Sequence, residues 1–290
     1  MTTVGVPEPD KHSMVSKFVE VDDLATHYFE GGSGPTLVLA HSGEYGSCAE
    51  LSWEYNFAGL AASFRVIAPD WLGFGQTAKV YDFENGLQRR IRHMARFLET
   101  IGVQSAHFVG NSMGAAFLLR DAASEQPQLP CRTITAISGG GDVPDNEWRR
   151  ALVDYDGTTA GMQQILKALF NGDAWSSDPD YLRRRHEESM RPGAWECTAA
   201  ARLISPAKPP RSDIGGQDPT PYEKIGVPVL LITGAADRLK PENYGRQLRD
   251  RIPSCELLEV EGGAHCPHIE TPGLVNSAIA SFLTRIEAGA

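Results

Sequence analysis

The stretch Ala106-His-Phe-Val-Gly-Asn-Ser-Met-Gly-Ala-Ala-Phe-Leu-Leu-Arg120 decides the fold. It begins as a short apolar run, turns at Gly110-Asn-Ser-Met-Gly114 and continues as a run of Ala and Leu that favours a helix. We therefore predict a strand, a tight turn and a helix, with Ser112 at the corner. The two glycines permit a strained turn that exposes the serine hydroxyl, and the amide of Met113 points into the same space. The positive end of the helix dipole favours negative charge there.

An acid and a histidine follow Ser112 in the order nucleophile, acid, base. Asp237 comes four residues after a strand predicted at 227–233, and His265 comes five residues after a strand predicted at 256–260. Because open parallel sheets bind ligands at the carboxyl ends of their strands, we expect these loops to meet. A histidine can take the serine proton, and a buried carboxylate fixes the imidazole tautomer. The sequence thus predicts a catalytic triad of Ser112, Asp237 and His265.

In the rest of the chain, short continuous apolar runs alternate with segments whose apolar residues have helical spacing. Strands are predicted at 17–21, 24–30, 36–40, 65–69 and 132–138, and helices at 49–62, 87–101, 242–251 and 272–286. Between 142 and 216 no buried strand pattern occurs, and amphipathic segments near 145–155, 159–171, 179–190 and 194–204 predict helices. We predict an α/β fold with a mostly parallel central sheet, helices on both faces and an inserted helical lid. The predicted parts are core residues 1–141, lid residues 142–216 and core residues 217–290.

Composition excludes several partner classes. The net charge of −10 argues against nucleic acid, although a local cationic pocket can still hold a small acidic substrate. Five cysteines without a C-x-x-C pair predict reduced thiols and a cytoplasmic location. The first 20 residues lack an apolar signal core, and no apolar run reaches the ~20 residues of a membrane helix. No metal-binding pattern is present, so we expect no metal, no cofactor and no membrane partner.

With these motifs the chain resembles the α/β-hydrolase superfamily over nearly its whole length. Three segments look more specifically like the meta-cleavage product hydrolases, which cleave carbon–carbon bonds in bacterial aromatic degradation. They are Gly110–Gly114, Arg65–Gly75, and Leu203–Pro210 after Arg191. This resemblance implies a small acidic substrate of the 2-hydroxy-6-oxo-hexa-2,4-dienoate type, which the enzyme ketonises and then cleaves between C5 and C6 with water. A homodimer is expected by family habit.

The resemblance also implies an oxyanion hole. The strand predicted at 36–40 ends in His41-Ser-Gly43, which matches the His-x-Gly segment that supplies half of the hole. The amide of Ser42 or of Gly43, together with that of Met113, would hold the oxyanion. His41 is expected to support this loop by hydrogen bonding. The family commonly has His-Gly and further glycines here, so Ser42 and Glu44 are departures.

Substrate-binding residues follow from the same resemblance. Asn111 and Arg191 match positions that hold the enol oxygens and the carboxylate, and a planar carboxylate suits a guanidinium. Cys266 stands where the family commonly has an aromatic residue after the catalytic histidine. It is predicted to border the substrate and to pack there, not to serve as a second nucleophile.

Three alternative functions stay open at this stage. A carboxylesterase or lactonase would use the same triad, and so would an amide or enamide hydrolase acting on a small acid. Asn111 and Arg191 favour the carbon–carbon hydrolase, because a neutral ester gives a buried guanidinium no partner. A non-catalytic binding module on the same scaffold is disfavoured by the ordered triad.

Overall fold

Eight strands form one sheet in the order β1-β2-β4-β3-β5-β6-β7-β8. The structure is a computed structural model that describes residues 9–11, 13–200, 202–203 and 215–289. The strands are β1 Val15–Val21, β2 Leu24–Gly31, β3 Thr36–Ala40, β4 Arg65–Pro69, β5 Ala106–Asn111, β6 Cys131–Ile137, β7 Val229–Gly234 and β8 Cys255–Val260. Strands β1, β2 and β4 pair antiparallel, and all other neighbours pair parallel. The predicted mostly parallel α/β fold is confirmed.

Helices cover both faces of the sheet. The core helices are α1 Ala49–Trp53, α2 Phe57–Ala61, α3 Gly86–Thr100, α4 Met113–Ala122, α10 Tyr244–Arg249, α11 Pro267–Glu270 and α12 Pro272–Ala288. Because successive strand side chains point to opposite faces, Phe108 of β5 packs with α3 and α4, whereas Val109 packs with α2 and α12. Every residue of β5 is buried, so the strand that carries the elbow is fixed on both sides.

Among the described residues, five further α-helices lie between β6 and β7. They are α5 Glu147–Val153, α6 Thr159–Leu169, α7 Ala174–Ser177, α8 Pro179–Ser189 and α9 Ala194–Ala200. Their apolar side chains, such as Met162 and Tyr181, pack with Tyr45 and Leu51 of the core into one cluster. No strand occurs among the described residues from 142 to 228. The segment 204–210, which carries part of the resemblance, lies outside the described residues, as do 1–8 and 12 of the N-terminal arm.

The predicted helix at 49–62 is wrong as a single element. It divides into α1 and α2, because residues 54–56 are bound by distant parts of the chain. Asn56 donates to His268 O and to Asn276 Oδ1, both at 2.9 Å. Glu54 is buried and pairs with Lys11 at 2.8 Å. Two short helices, α7 and α11, had no sequence prediction, since four residues give no measurable periodicity.

Candidate active site

Ser112 lies at the predicted corner in a strained backbone conformation. Its φ of 52° and ψ of −111° place it in a region that residues with a side chain rarely adopt. Gly110 and Gly114 have no room for a side chain, since a Cβ at Gly110 would meet the backbone of Ala115 and one at Gly114 would meet that of Ala40. The strain therefore holds the serine hydroxyl out of the sheet at the start of α4.

The three predicted triad residues meet in space. The Nε2 of His265 lies 2.8 Å from Ser112 Oγ, and its Nδ1 lies 2.8 Å from Asp237 Oδ2. The other carboxylate oxygen of Asp237 accepts the Leu239 N–H at 2.9 Å. Because a carboxylate can only accept, Nδ1 carries the proton and Nε2 is free to accept the serine proton. This arrangement activates a serine for nucleophilic attack.

Asp237 is ionised in this environment. Burial acts to raise the pKa of the Asp237 carboxyl, but the His265 imidazole and the Leu239 amide outweigh it and hold that pKa below the usual value. Both the Asp237 and the His265 side chains are about 1% exposed. An ionised carboxylate in a site shielded from water stabilises the imidazolium that forms when the serine proton moves.

Neighbouring segments fix the loop that carries His265. Its backbone N–H donates to Leu169 O at the end of α6, at 3.0 Å. Glu270 accepts the Ala264 N–H at 2.6 Å. Asn111 donates through Nδ2 to His265 O at 3.3 Å and to Ile137 O at 3.4 Å. Asn111 is buried and is not among the residues that line the cavity over Ser112, so its contacts position the histidine loop.

The His41 contacts orient the oxyanion loop. His41 Nδ1 donates to Ser42 O at 2.6 Å, and its Nε2 accepts the Trp71 N–H at 3.0 Å. In a trans peptide the N–H points opposite to the C=O, so the Gly43 N–H points away from the His41 ring. Gly43 and Met113 both line the cavity, whereas Ser42 does not. The geometry therefore favours the amides of Gly43 and Met113 as the oxyanion donors.

A buried ion pair joins this loop to the inserted helices. Glu44 Oε1 accepts from Arg185 Nη2 of α8 and from Ser42 Oγ, the latter at 3.0 Å. Although burial acts to raise the pKa of Glu44, Arg185 holds it below the usual value. Sequence reasoning noted Glu44 as a departure but missed its partner, which is 141 positions away.

A cavity of about 380 Å³ opens over Ser112. Five basic side chains line it, namely Arg90, Arg120, Arg149, Arg202 and Lys240, against three acidic ones, namely Glu44, Asp82 and Asp218. Glu44 and Asp82 pair with Arg185 and Arg89, which lie outside the lining, and Asp218 pairs with Arg120, which is part of it. The cavity is therefore cationic, in a chain whose net charge is −10.

Arg90 is the most buried of the four arginines in this lining. It is 7% exposed, its Nε donates to Leu72 O at 3.1 Å, and its guanidinium lies 5.3 Å from the Phe74 ring centre. Within the described ranges, no carboxylate pairs with it and its two terminal nitrogens make no hydrogen bond. Burial lowers the pKa of the Arg90 guanidinium from its usual value. The sequence signal was a cation at helical spacing from Leu87 and Met94, on the apolar side of α3.

None of the three predicted substrate residues, Asn111, Arg191 and Cys266, lines this cavity. The Arg191 guanidinium is 45% exposed and pairs with Glu188 at 2.6 Å. Cys266 is buried in the apolar cluster between the core and the inserted helices, where burial raises the pKa of its thiol well above the usual value. Their substrate-binding roles stay predictions.

In the part of the chain that the structure describes, no group of three His, Cys, Asp or Glu side chains could hold a metal ion. No described helix has the length and apolar character needed to cross a bilayer.

Known proteins match the chain over most of its length. The sequence matches the alpha/beta hydrolase family over residues 37–278. It is 31% identical over 283 residues to a 2-hydroxy-6-oxo-6-(2'-aminophenyl)hexa-2,4-dienoic acid hydrolase of Metapseudomonas resinovorans, covering 97% of this chain and 94% of that protein. It is 27% identical to a 2-hydroxymuconate semialdehyde hydrolase of Pseudomonas sp. strain CF600, and the match covers 97% of this chain and 98% of that protein.

Solved structures of similar proteins superpose on the chain over most of its length. A serine hydrolase involved in carbazole degradation superposes with a TM-score of 0.78 at 28% identity, covering 94% of this chain and 99% of that one. A meta-cleavage product hydrolase from Pseudomonas fluorescens IP01 superposes with a TM-score of 0.81 at 22% identity, covering 93% of this chain and 98% of that one. This superposition shows that the two proteins share a fold. The resemblance that the motifs predicted is thus confirmed, and the chain belongs to the alpha/beta hydrolase family.

Proposed function

We propose that the chain is a serine hydrolase that cleaves the C5–C6 bond of a 2-hydroxy-6-oxo-hexa-2,4-dienoate. The observation that carries this proposal is the hydrogen-bonded series Ser112, His265, Asp237 at the edge of a cation-lined cavity. A neutral ester offers the buried Arg90 guanidinium no anionic partner, whereas a dienoate brings a carboxylate and an enol oxygen to this cavity. The names of the relatives support the same substrate class.

The proposed reaction begins with ketonisation, in which the proton of the 2-hydroxyl moves to C5. Ser112 Oγ then bonds to the C6 carbonyl carbon while His265 Nε2 takes the serine proton. The carbonyl electron pair moves onto oxygen, where the Gly43 and Met113 amides hold it. Collapse of this intermediate breaks the C5–C6 bond.

The departing electron pair passes through the C3–C4 double bond to the C2 oxygen. The product of this step is a dienolate, which takes the proton from His265 and leaves as 2-hydroxypenta-2,4-dienoate. Water, deprotonated by His265, hydrolyses the ester on Ser112 and releases the C6 acid. Negative charge thus develops twice, at the C6 oxygen and at the C2 oxygen, and both fall within a cationic cavity.

We assign the dienoate carboxylate to Arg90. Its guanidinium is buried, is held through Nε by Leu72 O and offers its two terminal nitrogens to the cavity. The Phe74 ring beneath it packs on His41, at 5.3 Å between ring centres, which links Arg90 to the oxyanion loop. This assignment gives Arg90 the role that the resemblance gives to Arg191.

The inserted helices are proposed to act as the lid over this cavity, with residues 142–216 as its bounds. Support comes from lining residues that the insertion contributes, including Arg149, Leu152 and Thr198. The His265–Leu169 hydrogen bond ties the same insertion to the catalytic loop. The homodimer and the cytoplasmic location stay predictions from the sequence, and native mass spectrometry tests the first.

The test is a side-by-side assay on purified protein. One reaction contains a yellow 2-hydroxy-6-oxo-dienoate whose colour fades on cleavage, and the other contains a p-nitrophenyl ester. We expect fast bleaching and slow ester hydrolysis, and a loss of about 10³-fold or more in bleaching for Ser112→Ala. Fast ester hydrolysis without bleaching would move the function to an esterase or lactonase. Near-wild-type bleaching by S112A would remove the serine from the mechanism.

Two matched variants test the carboxylate assignment. Arg90→Met should raise KM for the dienoate by about tenfold or more, because a charge-assisted pair is lost, and should change ester hydrolysis far less. Arg191→Met is the comparison variant. If R191M raises KM more than R90M does, the resemblance was the better guide and Arg191 binds the carboxylate.

A further inference from the structure

Lys240 is a buried lysine on the cavity wall with no role in the reaction described so far. It lies three residues after Asp237, on the loop between β7 and α10, and is 9% exposed. Its Nζ donates to Gly140 O after β6 and lies 5.1 Å from the Tyr244 ring centre. An ammonium group has three protons to donate, and a single carbonyl leaves two of them for another acceptor.

No described carboxylate forms an ion pair with Lys240. Asp237 is engaged by His265 and Leu239. Asp218 accepts from Thr220 and from the Tyr222 hydroxyl, both at 2.6 Å. Burial, together with Arg149, accordingly lowers the pKa of Lys240 to about 7. A buried ammonium group whose acidic neighbours already bind other donors destabilises the fold unless another anion pairs with it.

The sheet order separates Lys240 from Arg90. Ser112 follows β5, Arg90 packs on the loop that follows β4, and Lys240 follows β7. Two strand steps lie between β4 and β5, and two more lie between β5 and β7, so the carboxyl ends of β4 and β7 are about 19 Å apart at ~4.8 Å per step. The nucleophile therefore stands between two cationic ends of one cavity.

We propose that the substrate is a diacid, whose second carboxylate lies at the end of the C6 substituent and binds Lys240. This inference rests on the proposed function and adds the chemical class of the substituent. If Arg90 holds the dienoate carboxylate on the β4 side of Ser112, the C6 substituent extends to the β7 side, where Lys240 lies. The acyl product is then a dicarboxylic acid.

The test compares two yellow dienoates that differ in one group. In one, the C6 substituent is a two-carbon chain ending in a carboxylate, and in the other the same chain ends in a carboxamide. We expect wild-type kcat/KM to be at least about tenfold higher for the carboxylate, the scale of a charge-assisted hydrogen bond. Lys240→Met should reduce this ratio to about one or below. The exposed Lys224→Met is the matched control and should keep the wild-type ratio.

Wild-type protein alone gives a second readout. The product analogue succinate should inhibit bleaching of the carboxamide substrate at least about tenfold more strongly than succinamate does. Equal kcat/KM for the two dienoates, or a K240M ratio equal to that of wild type, would overturn the diacid inference and leave the carbon–carbon hydrolase standing. Absence of bleaching with both dienoates, alongside ester hydrolysis, would overturn the proposed function and the diacid inference together.

Discussion

Replacing Lys240 by Met should stabilise the folded protein near neutral pH. The lysine keeps a charge in a buried position, with Arg149 and Arg120 nearby acting against that charge. Methionine has similar length and no charge, so it fills the space over Tyr244 without the desolvation cost. The gain in free energy of unfolding follows from the shift in the Lys240 pKa.

The magnitude comes from two opposing contributions. The pKa of Lys240 falls from an ordinary 10.5 to about 7, and each pKa unit corresponds to about 1.36 kcal/mol, so the charged state costs roughly 4 to 5 kcal/mol. Losing the hydrogen bond to Gly140 O costs about 1 to 2 kcal/mol in return. The expected net gain for K240M is about 3 kcal/mol below pH 7. At about 2 °C per kcal/mol this raises Tm by roughly 6 °C.

The pH dependence of unfolding provides a second test of the predicted stability gain of K240M. Between pH 7 and 10.5 the unfolded chain holds the Lys240 proton and the folded chain has released it. The unfolded state therefore binds more protons in that window, and wild-type stability rises with pH relative to K240M. The advantage of K240M should be full below pH 7 and mostly lost by pH 9.

Urea unfolding of wild type, K240M and K224M at pH 6.5 and pH 9 measures this directly. The surface variant K224M should stay within about 0.5 kcal/mol of wild type at both values. A K240M protein that is less stable than wild type at pH 6.5, or an advantage that is the same at both pH values, would refute the reasoning from burial.

Three further predictions use the same assays. Asp237→Asn should lower kcat for bleaching by about 10⁴-fold, because an amide no longer holds the His265 tautomer, and a loss below tenfold would contradict the triad. Arg185→Met should destabilise the fold by about 3 to 5 kcal/mol in urea unfolding, since Glu44 is left buried without its cation, and adding Glu44→Gln should restore most of it; additive losses would contradict the pairing. The kcat/KM ratio of carboxylate over carboxamide substrate should fall as pH rises through about 7, because Lys240 loses its charge while the substrate carboxylates stay ionised; a flat ratio from pH 6 to 9 would contradict it. The titratable and charged groups that face Lys240 are Arg120 of α4, Arg149 of α5, Asp218, Asp237 and Tyr244 of α10.

Local sequence patterns were sufficient to predict the fold and the three triad residues, Ser112, Asp237 and His265. The Gly110–Gly114 turn, the apolar strand runs and the loops of Asp237 and His265 each depend on neighbours within a few positions. In a parallel sheet the carboxyl ends of the strands share one edge, so correct strands already bring these loops together. The helix at 49–62 was predicted wrongly because its interruption involves contacts with residues far along the chain, including His268 O and Asn276, which are more than 200 positions from Asn56.

Tertiary structure alone decided which charged groups face the cavity. Arg90 lies within α3 and Arg191 follows α8, and only packing makes Arg90 part of a buried cavity wall and leaves Arg191 in an exposed ion pair with Glu188. The choice of Gly43 over Ser42 depends on a peptide orientation set by His41. The sequence by itself therefore predicted the fold, the family and the serine, acid and histidine that the structure brings together. The cationic ends of the cavity depended on burial, which is a property of everything packed around a side chain and is not written in its neighbours along the chain.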